Sequence, residues 1–186
     1  MRVSREQMTA NRSRILDEAG RLFRARGFDA VSVAEVMHAA GLTHGGFYGH
    51  FKSKDDLITQ TLAHGLAKAA EAPTDLNAYL DAYMTLQHCR TPAEGCCIAG
   101  LAAETLRQTP EARAEMTHGI VAQITRLDDA QAEGTPTERR RAAIGTWAAM
   151  VGAMVLARAS QDDTLSEEIL TQTRVWIETH DTSGQN

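Results

Sequence analysis

Helix-start signals punctuate this chain from end to end, and strand signals do not. Five times a Ser or Thr is followed three residues later by Glu or Gln: Ser4…Gln7, Ser32…Glu35, Thr91…Glu94, Thr135…Glu138 and Thr164…Glu167. At this spacing the hydroxyl accepts from a first-turn amide while the longer side chain reaches back to the cap. Three Thr-Pro steps, Thr91-Pro92, Thr109-Pro110 and Thr135-Pro136, put proline where its missing N–H costs nothing. No alternating β-branched run is long enough for a sheet. The pattern predicts an all-α fold of about nine helices.

Apolar spacing places them. Ile15, Leu16, Ala19, Leu22 and Phe23 share one helical face, and Gly27 ends that helix. A second helix is expected over Val33–Ala40, a short third over His44–His50, and a fourth from Ser53 carrying Leu57, Ile58 and Leu62. Further helices are expected on Leu76–Met84 and near 95–108, 110–132, 136–160 and 164–180, before a polar, flexible tail, 181–186.

With 43% hydrophobic and 23% charged residues, the 186-residue chain can bury a core, which excludes disordered and low-complexity classes. No unbroken apolar stretch of about 18 residues occurs, so no membrane span is expected. Met1–Glu6 lacks the apolar run of an export signal, so a cytoplasmic protein is expected. Cys89, Cys96 and Cys97 are too few for a disulfide framework and form no CxxC pair. No metal or cofactor is expected. The net charge of −5 is unevenly divided: residues 1–54 carry +4 and residues 55–186 carry −9. A basic head on an acidic body suits a head that meets a polyanion.

The most informative segment is 32–51. Ser32 and Glu35 cap a short helix whose buried side is Val33, Val36, Met37 and Ala40. Gly41 stands where a sharp turn needs positive φ, Leu42 plugs the turn, and Thr43 caps a second short helix. Two short helices joined by a glycine turn make a helix-turn-helix, whose second helix enters the major groove. Thr43, His44, Tyr48 and His50 supply hydrogen-bonding groups for bases or phosphates. Ser32 and Lys54 stand at helix starts that favour phosphate, and Gly45 and Gly46 let backbone approach the groove. Gly45, Gly46 and Gly49 each cost a helix about 1 kcal/mol relative to Ala, so a loose recognition helix with few side chains for direct readout is expected. Phe47 and Phe51 read as core, and His50 reads equally well as a structural histidine.

These residues resemble the tetracycline-repressor (TetR) family of transcriptional regulators. The resemblance is carried by Arg14-Ile15-Leu16, Leu22-Phe23, Arg26-Gly27-Phe28, Ala39-Ala40-Gly41-Leu42-Thr43, Phe47-Tyr48-Gly49-His50-Phe51 and Lys52-Ser53-Lys54-Asp55-Asp56-Leu57, over about residues 10–60. It implies a three-helix DNA-binding head, 1–54, and a ligand-binding and dimerisation body, 55–180. It also implies a homodimer on double-stranded operator DNA, released by a small-molecule effector. The late helices would pair two subunits through Ile144, Trp147, Ala148, Val151, Met154, Val155, Ile169, Thr173 and Trp176. A ligand pocket among the middle helices would draw on Tyr83, Met84, His88, Cys96, Leu101, Met116, Ile120 and Trp147. Gly95-Cys96-Cys97-Ile98 resembles a subset of the family with a Gly-Cys step, some of whose members sense oxidants or electrophiles through cysteine. Cys96 or Cys97 near a helix start is then a candidate thiolate, and Cys89 a redox partner. Glu104 is expected to pair with Arg107 or to face the pocket.

The competing reading is a small helical enzyme with Cys96 or Cys97 as nucleophile, or a thiol redox switch acting on a protein partner. The enzyme needs a base, for which His88 and His118 are candidates. The basic head weighs against both, and the expectation is a regulator without enzymatic activity.

Overall fold

The structure, a computed structural model, describes residues 4–70, 75–131 and 133–181. Among them lie nine α-helices, two 3-10 helices and no strand. The order is α1 (Arg5–Arg26), α2 (Val33–Ala39), a 3-10 turn (His44–Gly49), α3 (Lys54–Ala69), α4 (Leu76–Tyr83), α5 (Leu86–Arg90), a 3-10 turn (Pro92–Glu94), α6 (Cys97–Thr105), α7 (Pro110–Asp129), α8 (Pro136–Ala159) and α9 (Asp163–Asp181). The expected tail beyond Asp181 lies outside the described residues.

The head packs α1, α2, the first 3-10 turn and the start of α3 around Ile15, Ala19, Phe23, Phe28, Val36, Met37, Phe47, Phe51 and Leu57. Each of these side chains larger than Ala19 contributes about 1.5–3 kcal/mol of burial free energy. α3 leaves the head and packs on α7. α7 packs on α8, and α8 on α9. α6 touches α1, α3, α7 and α8, so it sits between head and body.

Two cap predictions need correction. Thr91 makes no side-chain cap at Pro92–Glu94, and its hydroxyl donates back to the Gln87 carbonyl at 2.8 Å. The last helix is capped by Asp162, whose carboxylate accepts from the amides of Thr164 and Leu165 at 2.9 and 3.3 Å. An acid nearer the helix start displaced the predicted Thr164. Ser32 and Thr135 form full boxes, whereas Ser4 forms half of one: it accepts from the Gln7 amide, but the Gln7 side chain donates to Asn11 at 2.9 Å. α5 escaped prediction because five residues hold too little periodicity.

One helix, α8, bears on the membrane expectation without overturning it, because a core helix can be as long and as apolar. This helix holds an 18-residue window of mean hydropathy 1.5, long and apolar enough to cross a membrane by length and composition. Its buried side is Ala143, Thr146, Trp147, Met150, Ala153, Met154 and Ala157. Ile144, Ala148, Val155 and Leu156 face outward, with Leu156 62% exposed.

Candidate functional site

The head is set by two glycines in the left-handed region. Gly27, at φ 83°, closes α1 with its amide on the Phe23 carbonyl at 2.7 Å. Gly41, at φ 67°, turns the chain after α2, and the Leu42 amide then reaches the Met37 carbonyl at 2.9 Å. The segment after this turn is a 3-10 helix, not the expected α-helix, and Thr43 makes no side-chain cap. Three glycines in six residues remove the propensity that would hold an α-helix, and the tighter, shorter helix suits such pieces. Phe47 anchors it, fully buried and stacked on Phe51 at 5.7 Å between ring centres.

The candidate contact residues lie at the surface around this anchor. Ser32, Thr43, His44, Gly45 and Gly46 are exposed, Tyr48 is 74% exposed, and His50 and Lys54 are half-buried. An added Cβ at Gly45 would meet open space, as at Gly49. The Ser32 hydroxyl accepts from the Glu35 amide and donates to the Glu35 carboxylate. The Ser32 backbone amide, then its hydroxyl and Arg26, donate to the Glu35 carboxylate and hold its pKa down to about 2. His50 is pushed below the usual histidine value, first by burial and then by nearby Arg12. It therefore stands neutral at pH 7, a weaker phosphate partner than an imidazolium.

Sequence reading missed Arg12. Its guanidinium lies over the Phe51 ring at 4.5 Å and donates to the His50 carbonyl and the Gln60 side chain. It ties α1 to the end of the recognition turn and to α3. A lone arginine on a predicted helix gives no sign of partners so far along the chain.

A cavity of about 940 Å³ opens beneath α1. Tyr83, His88, Cys96, Cys97 and Trp147 line it, whereas Met84, Leu101, Met116 and Ile120 do not. Leu101 and Met116 are buried in the core instead, because their faces of α6 and α7 turn toward neighbouring helices. Tyr83 makes edge contacts with Trp147 and His88, at 5.8 and 4.6 Å between ring centres. Trp147 and Met154, expected between subunits, are buried within their own chain. The helical period rotates them onto the inner side of α8, away from Ile144, Ala148 and Val155. Val151, Ile169 and Thr173 are half-buried, and Trp176 is 48% exposed.

The Gly-Cys step has a local cause. A Cβ at Gly95 would run into Arg158 and His88, so only glycine lets them close on the loop. His88 Nδ1 faces the Tyr83 carbonyl at 2.8 Å, and Nε2 faces the Cys96 amide at 3.0 Å. A carbonyl only accepts and an amide N–H only donates, so His88 is neutral with its hydrogen on Nδ1. Burial lowers its pKa in the same sense. With Nε2 occupied by the backbone, His88 is not a free base for the Cys96 thiol. His118 is exposed and lies against Glu115. No nucleophile–base pair is thus assembled by these residues. Cys96 caps α6, its Sγ accepting from the Ala99 amide at 3.5 Å. Burial raises the thiols of Cys89 and Cys97, the latter to about 12. Among the described residues no three His, Cys, Asp or Glu gather as metal ligands.

Glu104 neither pairs with Arg107 nor lines the cavity. Its carboxylate accepts the Phe28 amide hydrogen at 2.7 Å and fills the space where a Gly27 side chain would go. The helix that begins beside the cavity therefore ends fastened to the head.

Comparison with known proteins agrees with this architecture. The profile described as "Bacterial regulatory proteins, tetR family" matches residues 15–61. The chain is 41% identical over 59 residues to the HTH-type transcriptional regulator AcrR of Shigella flexneri, covering 32% of this chain and 27% of that protein. It is 30% identical over 83 residues to the HTH-type transcriptional regulator TtgR of Pseudomonas putida, covering 41% and 40%. These matches thus span well under half the length of the curated relatives. Among solved structures, the reduced form of E. coli NemR superposes with a TM-score of 0.74 at 22% identity, over 91% of this chain and 96% of that one. A TetR-family transcriptional regulator from Agrobacterium tumefaciens gives 0.74 at 22%, over 92% and 98%. The chain thus shares its fold with these solved regulators, and its residues 15–61 match the profile of the tetR family of bacterial regulatory proteins.

Proposed function

We propose that this protein is a homodimeric DNA-binding transcriptional repressor that leaves its operator when an effector occupies the cavity beneath α1. Residues 1–54 act as the DNA-binding head and 55–180 as the effector and pairing body. The observation that carries the reading is the Glu104–Phe28 bond: α6 starts at the cavity wall with Cys96 and ends on the head. A ligand that displaces α6 changes the setting of α1 and the recognition turn. The ligand shifts the equilibrium only by its differential affinity for the two settings, typically about 1–3 kcal/mol.

Operator contact runs through His44, Gly45, Gly46 and Tyr48, with Ser32, Thr43, His50 and Lys54 at phosphates. Pairing runs through the outward stripe of α8, Ile144, Ala148, Val151 and Val155, with Ile169, Thr173 and Trp176 of α9. Reading two half-sites needs heads about 34–36 Å apart, which pairing supplies.

A thiol-responsive version is favoured by Cys96. It alone of the three cysteines is half-exposed, and it lines the cavity at the start of α6. The test is binding to DNA upstream of the protein's own coding region, as a function of salt, with and without diamide. Tight specific binding with a steep salt slope supports the repressor. Release by diamide, reversed by reductant and lost in Cys96→Ser, supports the thiol trigger. Indifference to oxidant leaves the cavity ligand as the effector. Selection from a random DNA library that yields no preferred sequence overturns the whole reading.

A further inference from the structure

We propose that the cavity beneath α1 takes a small aromatic carboxylic acid as its monoanion, the carboxylate on Arg24 and the ring against Tyr83 and Trp147. The inference rests on the cavity being the effector site.

The charged groups lining this cavity are paired, with one exception. Asp17 bonds His64 at 2.9 Å and also Lys68. Glu94 bonds Arg21 at 2.6 Å, and Asp81 bonds Arg174 at 2.5 Å. Arg24 makes no ion pair among the described residues. Its Nε donates to the Ala93 carbonyl at 2.8 Å, which leaves the guanidinium Nη groups for something else. The guanidinium sits in a slot made by small residues on three helices. A Cβ at Gly20 would lie 3.1 Å from Nη1, one at Gly65 4.0 Å from it, and one at Gly100 3.5 Å from the Arg24 stem. Burial lowers the Arg24 pKa despite the attraction of nearby Glu94. A partly buried cation facing a cavity without a counter-ion is a place for an anion.

Two residues of the lining carry orphaned hydroxyls. Thr61 is buried and its Oγ1 has no partner. Helical threonines elsewhere in the chain, Thr59, Thr105 and Thr117, return their hydroxyls to the carbonyl four residues back. Thr61 does not; it lines the cavity, and its methyl faces Gly20 on the side where Arg24 Nη1 also lies. The Tyr83 hydroxyl is likewise buried without a nitrogen or oxygen partner, beside the weakly bonding Cys96 thiol. Unpaired buried hydroxyls cost free energy unless something else bonds them.

The charge and shape of the ligand follow. One guanidinium offers two parallel N–H groups, the match to a carboxylate. The three carboxylates of the lining disfavour a dianion such as a phosphate monoester. Tyr79, Tyr83 and Trp147 form an aromatic wall, with Tyr79 and Trp147 stacked at 6.3 Å and 25° between planes. A planar ring finds its offset and edge contacts there.

Calorimetric titration of the full chain with benzoate, cinnamate and 2-naphthoate, each beside its uncharged primary amide, tests this without DNA. At least one acid is expected to bind about tenfold or more tightly than its amide. Arg24→Gln is expected to erase that difference, and Arg24→Lys to restore part of it. Circular dichroism checks that each variant is folded, and the acid–amide comparison on the unsubstituted protein stands without them. No acid preferred over its amide in any pair overturns the proposal, as does a preference that survives in folded Arg24→Gln. Operator binding that persists alongside such a result leaves the repressor reading standing and removes only the carboxylate.

Discussion

Glu104 on α6 and Phe28 just past α1 are 76 residues apart in sequence, yet one carboxylate oxygen takes the other's amide hydrogen at 2.7 Å. The turn at Gly27 leaves that amide without a helical acceptor, and its missing side chain leaves room for the acid. Glu104→Ala is expected to cost about 1–3 kcal/mol in urea denaturation, because a buried donor is left unpaired. Gly27→Ala is expected to cost about 1–3 kcal/mol, from positive φ and from the collision with Glu104. Part of the second cost disappears when both changes are made, so the pair couples. Additive costs would show that the two residues do not act on one another.

Phosphate contacts reveal themselves in salt dependence. Lys54→Gln is expected to weaken binding to all sequences alike and to reduce the slope of log K against log salt by about 1. His44→Ala is expected to change preference among operators by about 1–3 kcal/mol and to leave the slope alone. Fluorescence anisotropy at four salt concentrations reads both, and the assignment fails if the two variants behave alike.

His88 gives the cavity wall a pH dependence with a definite sign. Its folded pKa lies below the ordinary 6.5, chiefly through burial and also through Arg158. Between the two values the unfolded chain binds the proton and the folded chain does not, so stability falls as pH drops below 6.5. His50 acts in the same direction through its own burial. Melting between pH 7.5 and 5.5 is expected to show a steeper loss in the natural protein than in His88→Gln. Equal losses in both would remove His88 from the account.

The outward stripe of α8 is tested by charge. Val155 is 45% exposed in the single chain, and Val155→Arg is expected to weaken self-association by about a hundredfold or more. Sedimentation equilibrium at micromolar concentration reads this, with circular dichroism confirming an intact helix. A natural protein that sediments as a monomer would dispose of the pairing surface.

The head was readable because its signals are local. Gly41 and Leu42 make the turn that their spacing promised, and Ser32 with Glu35 forms the full capping box. The same locality misled at Thr43: a threonine before a helix suggests a cap, but a glycine-rich 3-10 turn leaves it none. The apolar residues of α8 were legible, but not which of them face inward. Trp147 and Met154 turned inward because the packing of α8 on α7 and α9 sets the rotation of the helix, and no residue on α8 records it. Arg12, Arg24, Glu104 and Arg158 act through partners tens of residues away, and single-chain spacing carries no trace of such pairings.

Arg158 stands on α8 and donates to the carbonyls of His88 and Cys89, at 3.1 and 3.3 Å, while Gly95 closes against it. One turn earlier on the same helix, Val155 and Leu156 look outward. A single guanidinium therefore joins the loop at the cavity wall to the turn on which the proposed pairing rests. In a pair built on that turn, filling one cavity is expected to disturb the support of the other and to bend the titration curve away from a simple hyperbola. Cooperativity between subunits would then depend on Arg158 rather than on any group that touches the ligand.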